Sequence, residues 1–253
     1  MLKEIVIAIQ AYRKAHLFIG KHNLWKWILI PGLIYMILFS VGLYFFWYSA
    51  DTAVSELSQF SGVDHWLHQQ HSAGWSFVLI MVGIMARLIM MFFYFSLFKY
   101  IFLILGSPIF SYLSEKTESI MEEREFIFNR RIFYDDIRRG IKLALRNFGW
   151  QTVYTIFILL LSLIPLAGSL APVISGLVEC YYYGFSMLDY SCARHKLSTA
   201  ESIRFIGQRR GLAIGNGLVF YGMHLVPFVG WVLAPSYALV AATISLYHQN
   251  IDS

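Results

Sequence analysis

The chain has 253 residues, of which 58% are hydrophobic, 17% aromatic and only 14% charged, with a formal net charge of +5. A soluble domain of this size carries about a quarter charged residues, so the composition excludes an ordinary soluble protein and points to a membrane. The basic excess also argues against a nucleic-acid partner, because it is divided into separate blocks. Five Lys and Arg lie in 1–26, eight in 106–147 and five in 191–210, leaving Arg87 and Lys99 inside an apolar stretch.

Basic loops mark the cytoplasmic side of a membrane protein. The N-terminus and the sections 106–147 and 191–210 are therefore expected in the cytoplasm, with the C-terminus on the same side. Section 50–74, which has no Lys or Arg but holds Asp51, Glu56 and Asp64, is expected outside. No secretory leader is expected, since Arg13 and Lys14 break the first apolar stretch. Cys180 and Cys192 sit near the basic loops and are expected as free thiols.

Residues 1–21 read as an interfacial amphipathic helix, with Lys3, Gln10, Lys14 and Lys21 along one line. The alternative is a core-facing helix packed against the cytoplasmic loop. Residues 27–50 carry no charge and are long enough to cross about 30 Å of hydrocarbon. Trp27, Trp47 and Tyr48 stand at the ends of this span, and Pro31 lies in its first turns. A second membrane helix is predicted over 75–105, longer than a bilayer needs and therefore tilted or projecting. Pro108 marks a plausible start for a helical stalk, in which Glu115, Glu118 and Glu122 recur at helical spacing. Residues 106–147 form the cytoplasmic helical section.

One phrase then appears twice, as "LIPLAGSLAP" at 163–172 and "LVPFVGWVLAP" at 225–235. Pro presets φ and Gly accepts unusual backbone angles, so Pro165 with Gly168 and Pro227 with Gly230 predict tight reversals. The flanking arms, 148–164 with 169–188 and 211–226 with 231–247, make two helical hairpins over 148–190 and 211–250. A second proline, Pro172 or Pro235, follows each reversal near the start of the returning helix. An arm of 17 residues reaches about 25 Å, which is marginal for a full crossing. Reversals inside lipid would need cover for their freed backbone groups, so a homo-oligomer is expected. The fold class is thus an all-α integral membrane protein in one domain, with two long helices and two hairpins.

Ionisable residues within apolar segments are the functional candidates. Arg87 attracts an anion along a pathway, pairs with Glu179, or is brought near the interface by a tilted helix. Lys99 is expected to snorkel towards the interface. Asn216 and His224 offer polar groups in the second hairpin, either between helices or to a substrate. His65, His68 and His71 fall at three-residue spacing, and a solvated loop is the default over a metal site. Asp189 either caps a helix end or pairs with Arg194 or Lys196. No nucleophile–base pair, metal cluster or phosphate loop has useful spacing, so neither an enzyme nor a cofactor is expected.

Three further stretches carry a resemblance: "NLWKWILIPGL" (23–33), "SPIFSYLSEKTESI" (107–120) and "LDYSCARHKLSTAESIRFIGQRRG" (188–211). With the two Pro-x-x-Gly reversals, in that order, the chain resembles the CysZ-type sulfate permeases and etoposide-induced transmembrane proteins. The resemblance implies two long membrane helices, two partly penetrating hairpins, a homo-oligomer, and passage of sulfate through the inner membrane for sulfur assimilation. It also makes Asp189, Tyr190, His195 and Lys196 a family-matching set at the exit of the first hairpin, architectural in role. The family's permeases carry Gly-Leu/Ile-Arg-Arg before the first membrane helix; this chain has Asn23, Leu24, Trp25 and Lys26 there. Asn tolerates left-handed backbone angles, while Lys26 keeps a charge without the bidentate fork of arginine. The expected function is an inner-membrane, multi-pass anion channel or permease for sulfate or a similar oxyanion. The alternative is a non-transporting scaffold that binds membrane lipids.

Overall fold

The structure, a computed structural model, describes residues 1–60, 73–126, 130–162, 164 and 167–247. Among them are eight α-helices and no strand. These are α1 (Leu2–Lys21), α2 (Trp25–Phe60), α3 (Ala73–Met121), α4 (Arg130–Ser162), α5 (Ala171–Arg194), α6 (Thr199–Gln208), α7 (Arg210–His224) and α8 (Val229–Tyr247). The all-α membrane fold expected from the sequence is what is seen. Three stretches among the described residues are long and apolar enough to cross a membrane: Trp25–Phe46, Ser96–Met121 and Val229–Tyr247.

The helix α1 presents three faces. Ala8, Ala11, Tyr12, Ala15 and Ile19 are buried against α7 and α8. Leu2, Val6, Ile9 and Leu17 are exposed on the opposite side, beside the line of Lys3, Lys14 and Lys21. The helix is therefore amphipathic, and its buried face packs on α7 and α8 rather than on the cytoplasmic section as the alternative expected. A short reversal joins α1 to α2. Asn23 takes φ 53°, and the Leu24 N–H donates to Ile19 O at 3.2 Å, with both Leu24 and Ile19 buried. This is the Schellman ending of a helix, in which a left-handed residue lets the chain return onto the last turn.

The helix α3 runs unbroken for 49 residues, about 73 Å at 1.5 Å per residue, more than twice the thickness of hydrocarbon. Pro108 lies inside it, which corrects its expected place at a helix start. Proline removes the N–H that would bond the carbonyl four residues back, here Ile104 O. The Ser107 hydroxyl donates to that oxygen at 2.9 Å, so the helix continues. In α4, likewise, no break occurs at the expected 147/148 boundary: the end of the basic section, from Arg130, and the first arm are one helix.

The first hairpin is α4 with α5, closed by a 3-10 turn at Ala167–Leu170. The second is α7 with α8. The sequence reading of their glycines needs correction. At the second reversal the left-handed residue is Phe228, at φ 60°, while Gly230 already belongs to α8. A Cβ on Gly230 would collide with Met223 O, and one on Gly168 would meet Ser162 O. Both glycines serve close approach of the two arms. Pro172 stands at the start of α5 as expected, whereas Pro235 lies within α8. Pro165 lies outside the described residues.

α8 is the centre of the bundle, touching α1, α2, α3, α5 and α7. Its buried face is written in small residues, including Ala234, Ser236, Ala238, Ala241 and Ala242. The Ser236 hydroxyl donates to Ile28 O at 3.2 Å, one turn before Pro31 of α2. α5 and α7 pack closely where Gly184 faces Ala213 and Gly217 faces Cys180, leaving no room for a Cβ at either glycine. The short helix α6 starts with a capping box, in which the Ser198 hydroxyl accepts from Glu201 N and the Glu201 carboxylate accepts from Ser198 N. Hydrogen bonding to Ser198 holds the Glu201 carboxyl below its ordinary range.

Candidate functional site

A charged cluster is sealed inside the bundle. Lys99 of α3 is 2% exposed and Glu179 of α5 is 3% exposed, and Lys99 Nζ lies 2.7 Å from Glu179 Oε2. Gln151 of α4 bridges them: its Oε1 accepts from Lys99 Nζ at 2.8 Å and its Nε2 donates to Glu179 Oε1. The Tyr100 hydroxyl donates to Gln151 Oε1 at 2.8 Å, and the Tyr221 hydroxyl of α7 donates to Glu179 Oε2 at 2.9 Å. Lys99 Nζ also stands 4.7 Å from the centre of the Tyr100 ring. Four helices thus meet on one ion pair with its hydrogen-bonding capacity largely used. Burying charge is tolerable only under those conditions.

This arrangement revises one expectation. Lys99 does not snorkel; it is the buried cation. Glu179 pairs with Lys99, while the side chain of Arg87 lies outside the described residues. Gln151, Tyr100 and Tyr221 were not singled out from the sequence. An uncharged Gln one turn into an apolar arm was the available signal.

The guessed substrate groups of the second hairpin lie near this cluster without joining it. Asn216 is buried and its Nδ2 donates to Ala238 O at 2.9 Å, tying α7 to α8, while its Oδ1 has no partner among the described residues. Tyr12 of α1 donates to the Asn216 backbone carbonyl at 2.8 Å. His224 Nδ1 contacts Phe220 O at 2.8 Å, and its ring is enclosed by Tyr35, Phe39 and Phe220. Its Nε2 is likewise unpartnered among the described residues. At the α1–α2 reversal, Leu24 is core, whereas Trp25 and Lys26 are exposed at the first turn of α2.

A second set of ion pairs closes the basic end of the bundle. Asp189 is held by Arg139, with Nε at 3.2 Å from Oδ2 and a terminal nitrogen at 2.7 Å from Oδ1, and it accepts from the Ser202 hydroxyl. The expected partners of Asp189, Arg194 and Lys196, are therefore corrected to Arg139, which also donates to Leu197 O. Arg194 pairs with Asp136 and with Glu115, the latter at 3.3 Å. His195 Nε2 lies 3.4 Å from Glu118. Lys196 is exposed at φ 57°, ending α5 rather than pairing. Asp136 and Arg139, from the basic section, do not stand out in the sequence because their ion-pair partners lie 50 or more residues away.

Cys180 and Cys192 are both buried and unpaired. Among the described residues no three His, Cys, Asp or Glu side chains gather as metal ligands. His65, His68 and His71 lie outside the described residues.

The reversals carry no charge and expose large apolar side chains: Leu225 is 85% and Phe228 67% exposed, and Ile164, Leu170 and Val173 stand out at the first. Such surface suits lipid or a neighbouring subunit.

The order of elements, the two apolar reversals and the basic end agree with the comparison of the sequence with known families. The model for "Sulfate transporter CysZ/Etoposide-induced protein 2.4" matches residues 11–235. The chain belongs to this family. Among curated relatives, the sulfate transporter CysZ of Pseudomonas syringae pv. tomato is 25% identical over 221 residues, covering 86% of this chain and 79% of that protein. The CysZ proteins of Pseudomonas fluorescens Pf-5 and Pseudomonas aeruginosa PAO1 are each 26% identical over 143 residues. There the match spans 56% of this chain and only 57% and 58% of the relatives' own lengths. A family named for a transporter agrees with the expectation that the chain is not an enzyme.

Proposed function

We propose that this protein passes sulfate, or an oxyanion of the same shape and charge, inward through the inner membrane as a homo-oligomeric, multi-pass channel or permease. Both termini would lie in the cytoplasm. The observation that carries the reading is Lys99, a cation enclosed in an apolar bundle and surrounded by side-chain donors on separate helices. An anion leaving water needs positive charge and hydrogen-bond donors in place of its hydration shell. Lys99, Gln151 and Tyr221 offer both, provided the anion takes the place of the Glu179 carboxylate. Lys26 at the start of α2 and the basic end supply attraction before entry. Arg87, Asn216 and His224 are further candidates along the route. The apolar reversals would be covered by sister protomers.

The test is uptake of radiolabelled sulfate into proteoliposomes at matched protein density. Uptake above empty vesicles, reduced at least tenfold by Lys99→Met, is the expected result. Uptake equal to empty vesicles would sink the proposal. A second reading, a lipid-binding scaffold without flux, draws on the exposed apolar and basic faces of α1; lipid binding with no sulfate movement would favour it.

A further inference from the structure

A cleft of about 480 Å³ opens on the side of the bundle between α4, α5 and α7. Its lining changes in order along its length. Arg146, Trp150 and Tyr154 are spaced four residues apart on α4, so they share one face over about 12 Å. Arg210, at the first turn of α7, stands at the same end as Arg146. Towards the reversal the wall becomes Ile174 and Leu177 of α5. The cleft thus runs from two cations, through aromatic rings, to aliphatic side chains.

Neither arginine is neutralised. Among the described residues Arg146 donates only to Asn147 Oδ1, at 2.9 Å, and Arg210 Nε only to Gly207 O, at 3.0 Å. Neither has a carboxylate partner among those residues, although carboxylates hold Arg139 and Arg194. Both side chains line the cleft, Arg146 with its guanidinium carbon 5.9 Å from the centre of the Phe185 ring, and guanidinium matches a phosphate oxygen pair. Trp150 and Tyr154 are about half exposed, as rings at a headgroup boundary are.

We infer that this cleft binds one anionic phospholipid, its phosphate between Arg146 and Arg210 and an acyl chain along Ile174 and Leu177. A soluble anion would have no use for the aliphatic half, and a zwitterionic lipid would bring its own cation beside two arginines. The site is separate from the Lys99 cluster and does not depend on transport.

The test uses the full-length protein purified in a neutral detergent and stripped of lipid. Thermal unfolding and native mass spectrometry are read with added phosphatidylglycerol, phosphatidylcholine or glycerol phosphate. Phosphatidylglycerol is expected to raise the melting temperature by several degrees and to leave one bound lipid per protomer, while the other two have no effect. The Arg146→Gln/Arg210→Gln variant should need at least tenfold more phosphatidylglycerol for the same shift. Arg210→Gln alone, an exposed position, gives the same comparison if the double variant does not fold. Equal response to phosphatidylcholine, a response to glycerol phosphate, or an undiminished response of the variants would overturn the inference. So would a disulfide-linked dimer through Trp150→Cys, which would place a second copy of the chain in the cleft.

Discussion

The two hairpins share a motif and differ in surroundings. In the first, α4 turns Ile156, Phe157 and Leu160 outward, and the pair is joined to α3 through the Lys99, Gln151 and Glu179 cluster. In the second, most of α8 is enclosed, the exposed side chains of the described part lying at the reversal, at the first turn and at Tyr247. Among the described residues, hydropathy marks α8 alone of the four arms as apolar enough to cross a membrane, yet α8 is the enclosed one, since lipid and protein interior are both apolar. Side-chain size tells the two surroundings apart: α8 is rich in Ala and Ser, which let helices approach, whereas the outer face of α4 carries large aliphatic and aromatic groups. The first hairpin therefore meets α3 through buried polar bonds and α7 through close backbone contact at Gly184 and Cys180, whereas α8 is packed mainly through its small residues.

The strongest way to break this contrast is Lys99→Met. It leaves Glu179 buried without its cation, and removing one member of such a pair costs about 3 to 5 kcal/mol. Thermal unfolding in detergent should show a large loss. Lys99→Met combined with Glu179→Leu should recover most of it, because no charge remains to be solvated. If the single variant unfolds with the wild type, the cluster does not hold the first hairpin.

The second test compares the reversals. Gly230→Ala places a methyl against Met223 O, and Gly168→Ala places one against Ser162 O. Backbone carbonyls cannot step aside as a side chain does, so each change forces the arms apart. Overpacking of this kind costs about 1 to 3 kcal/mol. Gly230→Ala should lie at the upper end, because its methyl would sit closer to Met223 O than that of Gly168→Ala to Ser162 O and the rest of α8 is enclosed. Equal melting temperatures for the two variants would remove the distinction between an enclosed hairpin and an exposed one.

Much of this was legible in the residues. Charge-free runs and Pro-x-x-Gly placed the helices and both reversals, and the basic blocks marked one end of the bundle. Three things were not. Lys99 and Glu179 are 80 residues apart, and a periodic pattern cannot say which cation meets which anion. Pro108 reads as a helix boundary unless Ser107 is known to replace the missing donor. Gly168 and Gly230 look like flexible turn residues, yet their role lies in what a Cβ would strike, which only packing reveals.

The smallest expected effect is at Asn216. Its amide ties α7 to α8, but the carbonyl it reaches, Ala238 O, belongs to a helix that can satisfy it internally. Hydrogen bonds between membrane helices are worth about 0.6 kcal/mol on average. The Asn216 Oδ1, buried without a partner among the described residues, already costs something that an apolar replacement would relieve. Asn216→Leu should therefore change stability by less than about 1 kcal/mol. Sulfate uptake by this variant gives a second reading. If uptake is unchanged, Asn216 acts between helices alone. If uptake falls tenfold while the melting temperature holds, the free carbonyl faces the anion's route, and the second hairpin, for all its dense packing, forms part of that wall.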